Sequence, residues 1–142
     1  MLEKSVKFVV MKILLTTILL LSASLSEANN NKYLFSGLKY PEIAQAIYRL
    51  ETGNGKSLLY KKHNNLFGFR KNKRKIYTGL TKTLYCIYPD KYSSVLDYSY
   101  FERNLIKKYK IKSKAHFIKC LAINYAGKNN IKYSLKIKKL CS

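Results

Sequence analysis

Residues 40–57 constrain this chain most tightly. Ile43, Ala46, Ile47 and Leu50 recur at i, i+3, i+4 and i+7, the spacing of one face of an α-helix. Pro41 suits a first helical turn, and Gly53 and Gly55 end the pattern. The helix predicted over 40–51 has one face to bury and closes on a carboxylate, Glu51. The helix macrodipole disfavours an acid there, while apolar neighbours such as Ile47 and Leu50 raise a carboxyl pKa. One reading of Glu51 is a solvated side chain in a last turn. The other is a proton donor, with the glycines after it leaving room for a polymer to approach. Gly55-Lys56-Ser57 brings a phosphate-binding loop to mind, but that motif needs a glycine five residues before Gly55, where Leu50 stands. Nucleotide binding is thereby rejected.

The N-terminus reads as a targeting segment. Lys4, Lys7 and Lys12 precede the apolar run Ile13–Leu21, and Ser26-Glu27-Ala28 fits the small-x-small cleavage rule. A run this short falls well below the roughly 20 residues that span a bilayer. Residues 1–28 are expected to be a signal peptide, leaving a domain at 29–142 without a transmembrane anchor. Its destination would be the periplasm or the extracellular cell wall.

The whole chain carries +21, from 28 basic and 7 acidic residues. Removing residues 1–28 takes away Lys4, Lys7, Lys12, Glu3 and Glu27, leaving 25 basic against five acidic residues, or +20. Such a charge favours anionic partners. For an exported protein these are cell-envelope polymers rather than a specific nucleic acid, although the lysines are spread along the chain and fit biased composition as well. The remaining carboxylates are Glu42, Glu51, Asp90, Asp97 and Glu102. Three cysteines, Cys86, Cys120 and Cys141, allow one disulfide in an oxidising compartment. Cys120 and Cys141 would join the last two predicted helices. No ligand spacing calls for a metal, and no cofactor is expected.

Beyond Glu51, a short helix is predicted over 56–62 and a turn at Asn64-Asn65. Residues 66–88 carry strand chemistry in Phe67, Phe69, Ile76, Tyr77, Thr78, Thr83, Leu84, Tyr85, Ile87 and Tyr88. They predict a hairpin or a three-stranded sheet. Helices follow at 92–109, 113–125 and 131–140. Their apolar sets are Val95, Leu96, Phe101, Leu105 and Ile106; then Phe117, Ile118, Leu121 and Ala122; then Ile131, Leu135, Ile137 and Leu140. The expected class is α+β, a mainly helical body with a small antiparallel β flap.

Three blocks sharpen this reading: Ile43-Ala44-Gln45-Ala46, Leu50-Glu51-Thr52-Gly53-Asn54-Gly55-Lys56-Ser57, and Asn64-Asn65-Leu66-Phe67-Gly68. In this order and spacing they resemble the glucosaminidase family of bacterial peptidoglycan hydrolases. Weaker likeness runs through residues 92–101 and 124–126, with Tyr133 and Ile137. The resemblance implies a lysozyme-like fold and cleavage of β-1,4 bonds in peptidoglycan glycan strands, as an endo-β-N-acetylglucosaminidase. It implies Glu51 as general acid, Tyr125 near the catalytic centre, and Asn65 and Phe67 along the cleft. Gly53, Gly55 and Thr78 join the expected substrate-binding set.

One departure stands out. Many family members place a second acid in the flap, yet residues 57–89 contain no Asp or Glu. Three routes would replace an inverting base. The substrate's acetamido group could assist. Glu51 could serve as both acid and base on a water held by Tyr125, Thr78 or Asn65. Or Asp97 could reach the cleft, although its position near a helix start suits a structural role better. The alternatives in function are a muramidase or lytic transglycosylase using a single Glu, and a catalytically inactive cationic wall-binding module.

Overall fold

The computed structural model describes residues 9–19, 33–72 and 74–141. The chain divides into two units, Met1–Tyr33 and Leu34–Ser142. In the first, residues 9–19 form helix α1, with Val9, Ile13, Leu14, Ile18 and Leu19 about half exposed or more. The predicted cleavage site after Ala28 lies outside the described residues. No described helix is long and apolar enough to cross a membrane.

The second unit contains α2 (Pro41–Thr52), α3 (Leu58–His63), β1 (Gly79–Leu80), β2 (Cys86–Ile87), α4 (Lys91–Tyr109), α5 (Lys114–Ala126), a 3-10 turn (Gly127–Asn129) and α6 (Asn130–Cys141). Helix α6 packs on α2 and α5, and α5 on α4. This is the α+β, lysozyme-like arrangement: a helical body with one small antiparallel flap.

Capping side chains fix where the helices start. Asp90, Ser57 and Ser113 accept from the backbone N–H three residues on, opening α4, α3 and α5. Tyr40 gives α2 no such cap. Glu102 of α4 acts instead, accepting from the N–H groups of Lys39 (2.9 Å) and Tyr40 (3.0 Å). The entry of α2 is thus tied to α4 by a buried carboxylate, satisfied as buried charge requires.

Ile43 and Ile47 of α2 are fully buried among Phe67, Tyr98, Phe117, Leu121 and Ile137. Each contributes roughly 1.5–3 kcal/mol by leaving water. Phe67 stacks on Tyr98 with centroids 4.3 Å apart. Leu96 departs from the expectation, being 47% exposed. In its place α4 turns inward the polar Ser94, Asp97 and Glu102 beside Val95, Tyr98 and Leu105. Of the α6 set only Ile137 is buried, with Ile131, Leu135 and Leu140 outside. The three cysteines are all free. The Cys141 thiol lies 3.6 Å from the Glu42 carbonyl oxygen, not on Cys120.

The flap is smaller than predicted. β1 and β2 pair over two residues each, Gly79 with Ile87 and Leu80 with Cys86, and a single bridge joins Arg70 to Tyr85. Residues 66–69 form no strand, because a side chain takes over much of the ladder's work. The Asn65 amide donates to the carbonyls of Phe69 (2.8 Å) and Cys86 (2.9 Å), and its oxygen accepts from Phe69 N–H (2.9 Å). Asn65 is itself fully buried. Asn65→Ala is expected to lower unfolding stability by about 3 kcal/mol, since it strands the buried Phe69 N–H; chemical denaturation reads this directly.

Candidate active site

The site grows from the end of α2. Gly53 caps the helix in the left-handed region (φ 58°), its N–H reaching Arg49 O. Thr52 Oγ1 donates to Tyr48 O (2.6 Å) and accepts from Gly55 N–H (2.8 Å), so the chain folds back at once. Gly55 is buried with φ 79° and serves this turn, while Gly53 is exposed with open space beside it.

Glu51 is held from two sides in the last turn of α2. From α6, the Tyr133 hydroxyl donates to Glu51 Oε1 at 2.9 Å. On the other oxygen stands Gly68, at φ +63°, where a Cβ would meet Oε2 at only 2.7 Å. Only glycine permits both that backbone conformation and that approach. Burial raises the Glu51 pKa, and the Tyr133 hydrogen bond works the other way as the smaller influence. Burial, and then the nearby Glu51 charge, push the Tyr133 phenol far above its ordinary range. It therefore stays neutral and keeps donating.

Tyr125 stands behind Tyr133, the rings stacked at 5.7 Å and 19°. Phe69 and Phe101 flank it at 5.8 and 5.6 Å. The Arg74 guanidinium lies 3.4 Å from the Phe69 centroid and 4.8 Å from that of Phe101. The Tyr125 hydroxyl is buried and has no hydrogen-bond partner among the described residues. Burial also holds its pKa well above the ordinary value.

The other expected site residues are placed differently. Asn65 and Phe67 are fully buried, the first in backbone hydrogen bonds and the second in the aromatic core. Neither presents a surface to a sugar, which corrects the expectation that they line the cleft. Thr78 is exposed on the flap and hydrogen-bonds Ile87 O through both its N–H (2.9 Å) and its hydroxyl (3.3 Å). Tyr133 and Gly68, absent from the expected site, stand beside the two oxygens of Glu51, the first as a hydrogen-bond donor and the second as the space its missing side chain leaves. The signals for them were the four-residue spacing of Tyr133 from Ile137 and the glycine closing the Asn-Leu-Phe-Gly block.

The remaining carboxylates are engaged elsewhere. Glu42 pairs with Lys114 at 2.9 Å, Asp90 caps α4, and Glu102 holds the entry of α2. Asp97 accepts from the buried Tyr88 hydroxyl at 2.6 Å, a core contact that leaves it unsuited to act as a base. No group of three or more His, Cys, Asp or Glu placed to hold a metal ion occurs among the described residues.

Two of the three sequence blocks meet at this carboxyl, the second supplying Glu51 and the third Gly68, while Tyr133 comes from α6. The family model described as mannosyl-glycoprotein endo-beta-N-acetylglucosaminidase matches residues 36–142. The chain belongs to the glucosaminidase family. That membership supports a glycosidase with peptidoglycan-hydrolase-like function. No curated protein and no solved structure matches the chain.

In this glucosaminidase-family site the Tyr133 hydroxyl favours the ionised form of Glu51, so its removal should push the Glu51 pKa further up. Tyr133→Phe is expected to move the alkaline limb of the pH–activity profile to higher pH, with kcat lowered about tenfold. An unmoved limb would mean that Glu51 does not set it.

Proposed function

We propose that the protein is an exported peptidoglycan hydrolase of the endo-β-N-acetylglucosaminidase type, with Glu51 as its general acid. The observation that carries this reading is the Glu51 carboxyl, desolvated and fixed between Tyr133 and Gly68. A carboxyl in such surroundings holds its proton above the usual range and delivers it to a glycosidic oxygen as the bond breaks. Gly53, exposed and open, leaves room for the strand beside the acid, and Thr78 contributes from the flap.

Among the described residues no second carboxylate is free to act as base, so in this reading the chemistry runs through Glu51 alone. Glu51 protonates the leaving oxygen. Then either the substrate acetamido group attacks the sugar carbon, or a water does so with the ionised Glu51 accepting its proton. Tyr125, expected near the catalytic centre, takes part as the ring stacked behind Tyr133, its hydroxyl being closed to solvent. The lone acid equally fits a muramidase or transglycosylase product, and the positive charge fits an inert wall-binding module.

Mass spectrometry of fragments released from purified peptidoglycan separates these readings. Reducing N-acetylglucosamine ends support the proposal. Reducing or anhydro-muramic ends keep Glu51 but change the bond cleaved. Bound sacculi with no released fragments overturn the enzyme.

A further inference from the structure

Helix α6 does more than deliver Tyr133. Its first two turns, with the end of α5 and the 3-10 turn, form an open surface cavity of about 380 Å³ lined by Ala126, Asn129, Lys132, Tyr133 and Lys136. Lys132 and Lys136 lie four residues apart, on one face of the helix. Like charges at that spacing repel, and neither ammonium is ion-paired among the described residues. Ala126 and Asn129 complete the lining. The lining holds no carboxylate. The cavity shares Tyr133 with the acid, since the same side chain that lines it donates to Glu51 Oε1 at 2.9 Å.

We propose that this cavity is an anion subsite, in which Lys132 and Lys136 bind a negatively charged substituent of the glycan strand one side chain away from the bond being cleaved. The ligand chemistry is a carboxylate or a phosphate ester. In peptidoglycan the first comes from the peptide stems and the second from attached polymers. This inference rests on the peptidoglycan reading above. It makes Lys132 and Lys136 specificity-determining residues rather than part of the general cationic surface. An ammonium pair without a counter-charge gains more from an arriving anion than one already paired. The rest of the lysine-rich surface attracts a polyanion without placing it.

The test is Lys132→Gln/Lys136→Gln, which keeps helix propensity and removes two charges. The control is Lys107→Gln/Lys119→Gln, which removes two exposed charges outside the cavity. Three soluble glycan substrates are compared: strands with free stem carboxylates, strands with those carboxylates amidated, and amidated strands carrying a glycerol-phosphate polymer. The expected result is that the ratio of kcat/KM on acidic to amidated strands falls about tenfold in the cavity variant and less than twofold in the control. A fall confined to the stem-carboxylate substrate, or to the phosphate substrate, identifies the source of the anion. An equal fall in both variants, or none, overturns the subsite. Affinity for the same strands is also measured in the Glu51→Gln background, where it reads the cavity without turnover. A wild-type chain that releases no fragments would therefore sink the enzymatic reading while leaving the subsite separately decidable.

Discussion

Glu51→Gln is expected to lower fragment release from peptidoglycan by about a thousandfold, within the range that positioned general acids contribute. Glutamine keeps the shape and can still accept from the Tyr133 hydroxyl, but it has no proton to give. The fold should be retained, and its stability carries a second signature. A carboxyl whose pKa is raised on folding binds its proton more tightly in the folded chain. The stability this confers is complete below the ordinary carboxyl value of 4.5 and is lost as pH climbs through the raised value. The wild type should therefore lose stability over that window, and Glu51→Gln should lose less, the remaining slope coming from buried Glu102, whose pKa burial also raises. Thermal unfolding at several pH values checks this, and an equally sloped variant would place the titration on another group.

Gly68→Ala should be nearly as damaging, for a different reason. A Cβ at Gly68 would stand 2.7 Å from Glu51 Oε2, so the carboxylate, the loop or both must shift. The left-handed backbone adds a cost of about 1–2 kcal/mol for alanine. A displacement of about 1 Å at a reacting group is worth on the order of a hundredfold in rate, and a drop of that size in kcat is expected. Gly68→Asn separates the two causes, because asparagine tolerates the left-handed region but still carries a Cβ. It should recover part of the lost stability and little of the activity. Full recovery of activity in Gly68→Asn would show that backbone conformation, and not space beside Glu51, is what the glycine supplies.

Much of this site was legible beforehand because α2 announces itself. Ile43, Ala46 and Ile47 repeat at helical spacing, Gly53 stops the helix, and the last turn is left holding Glu51. The helices expected at 92–109 and 113–125 from their apolar residues lie within a residue of those observed, Lys91–Tyr109 and Lys114–Ala126. The flap was not. Residues 66–69 have strand composition, but the buried Asn65 side chain satisfies backbone groups that a neighbouring strand would otherwise have met, and no periodicity records that substitution. Burial of Asn65 likewise turned an expected sugar contact into a structural one. Tyr133 was hidden by its surroundings. The apolar residues Ile131 and Leu135 beside it face outward, so the helix shows no clean stripe pointing to the side that meets α2.

The hydrogen bond between Tyr133 and Glu51 joins residues 82 positions apart. As the chain is synthesised, α2 and its glutamate emerge long before α6. Until α6 docks, Glu51 lacks its tyrosine, the partner that holds one of its oxygens in the folded chain. The raised pKa of Glu51 is therefore a property of the assembled domain, which neither α2 nor α6 carries alone.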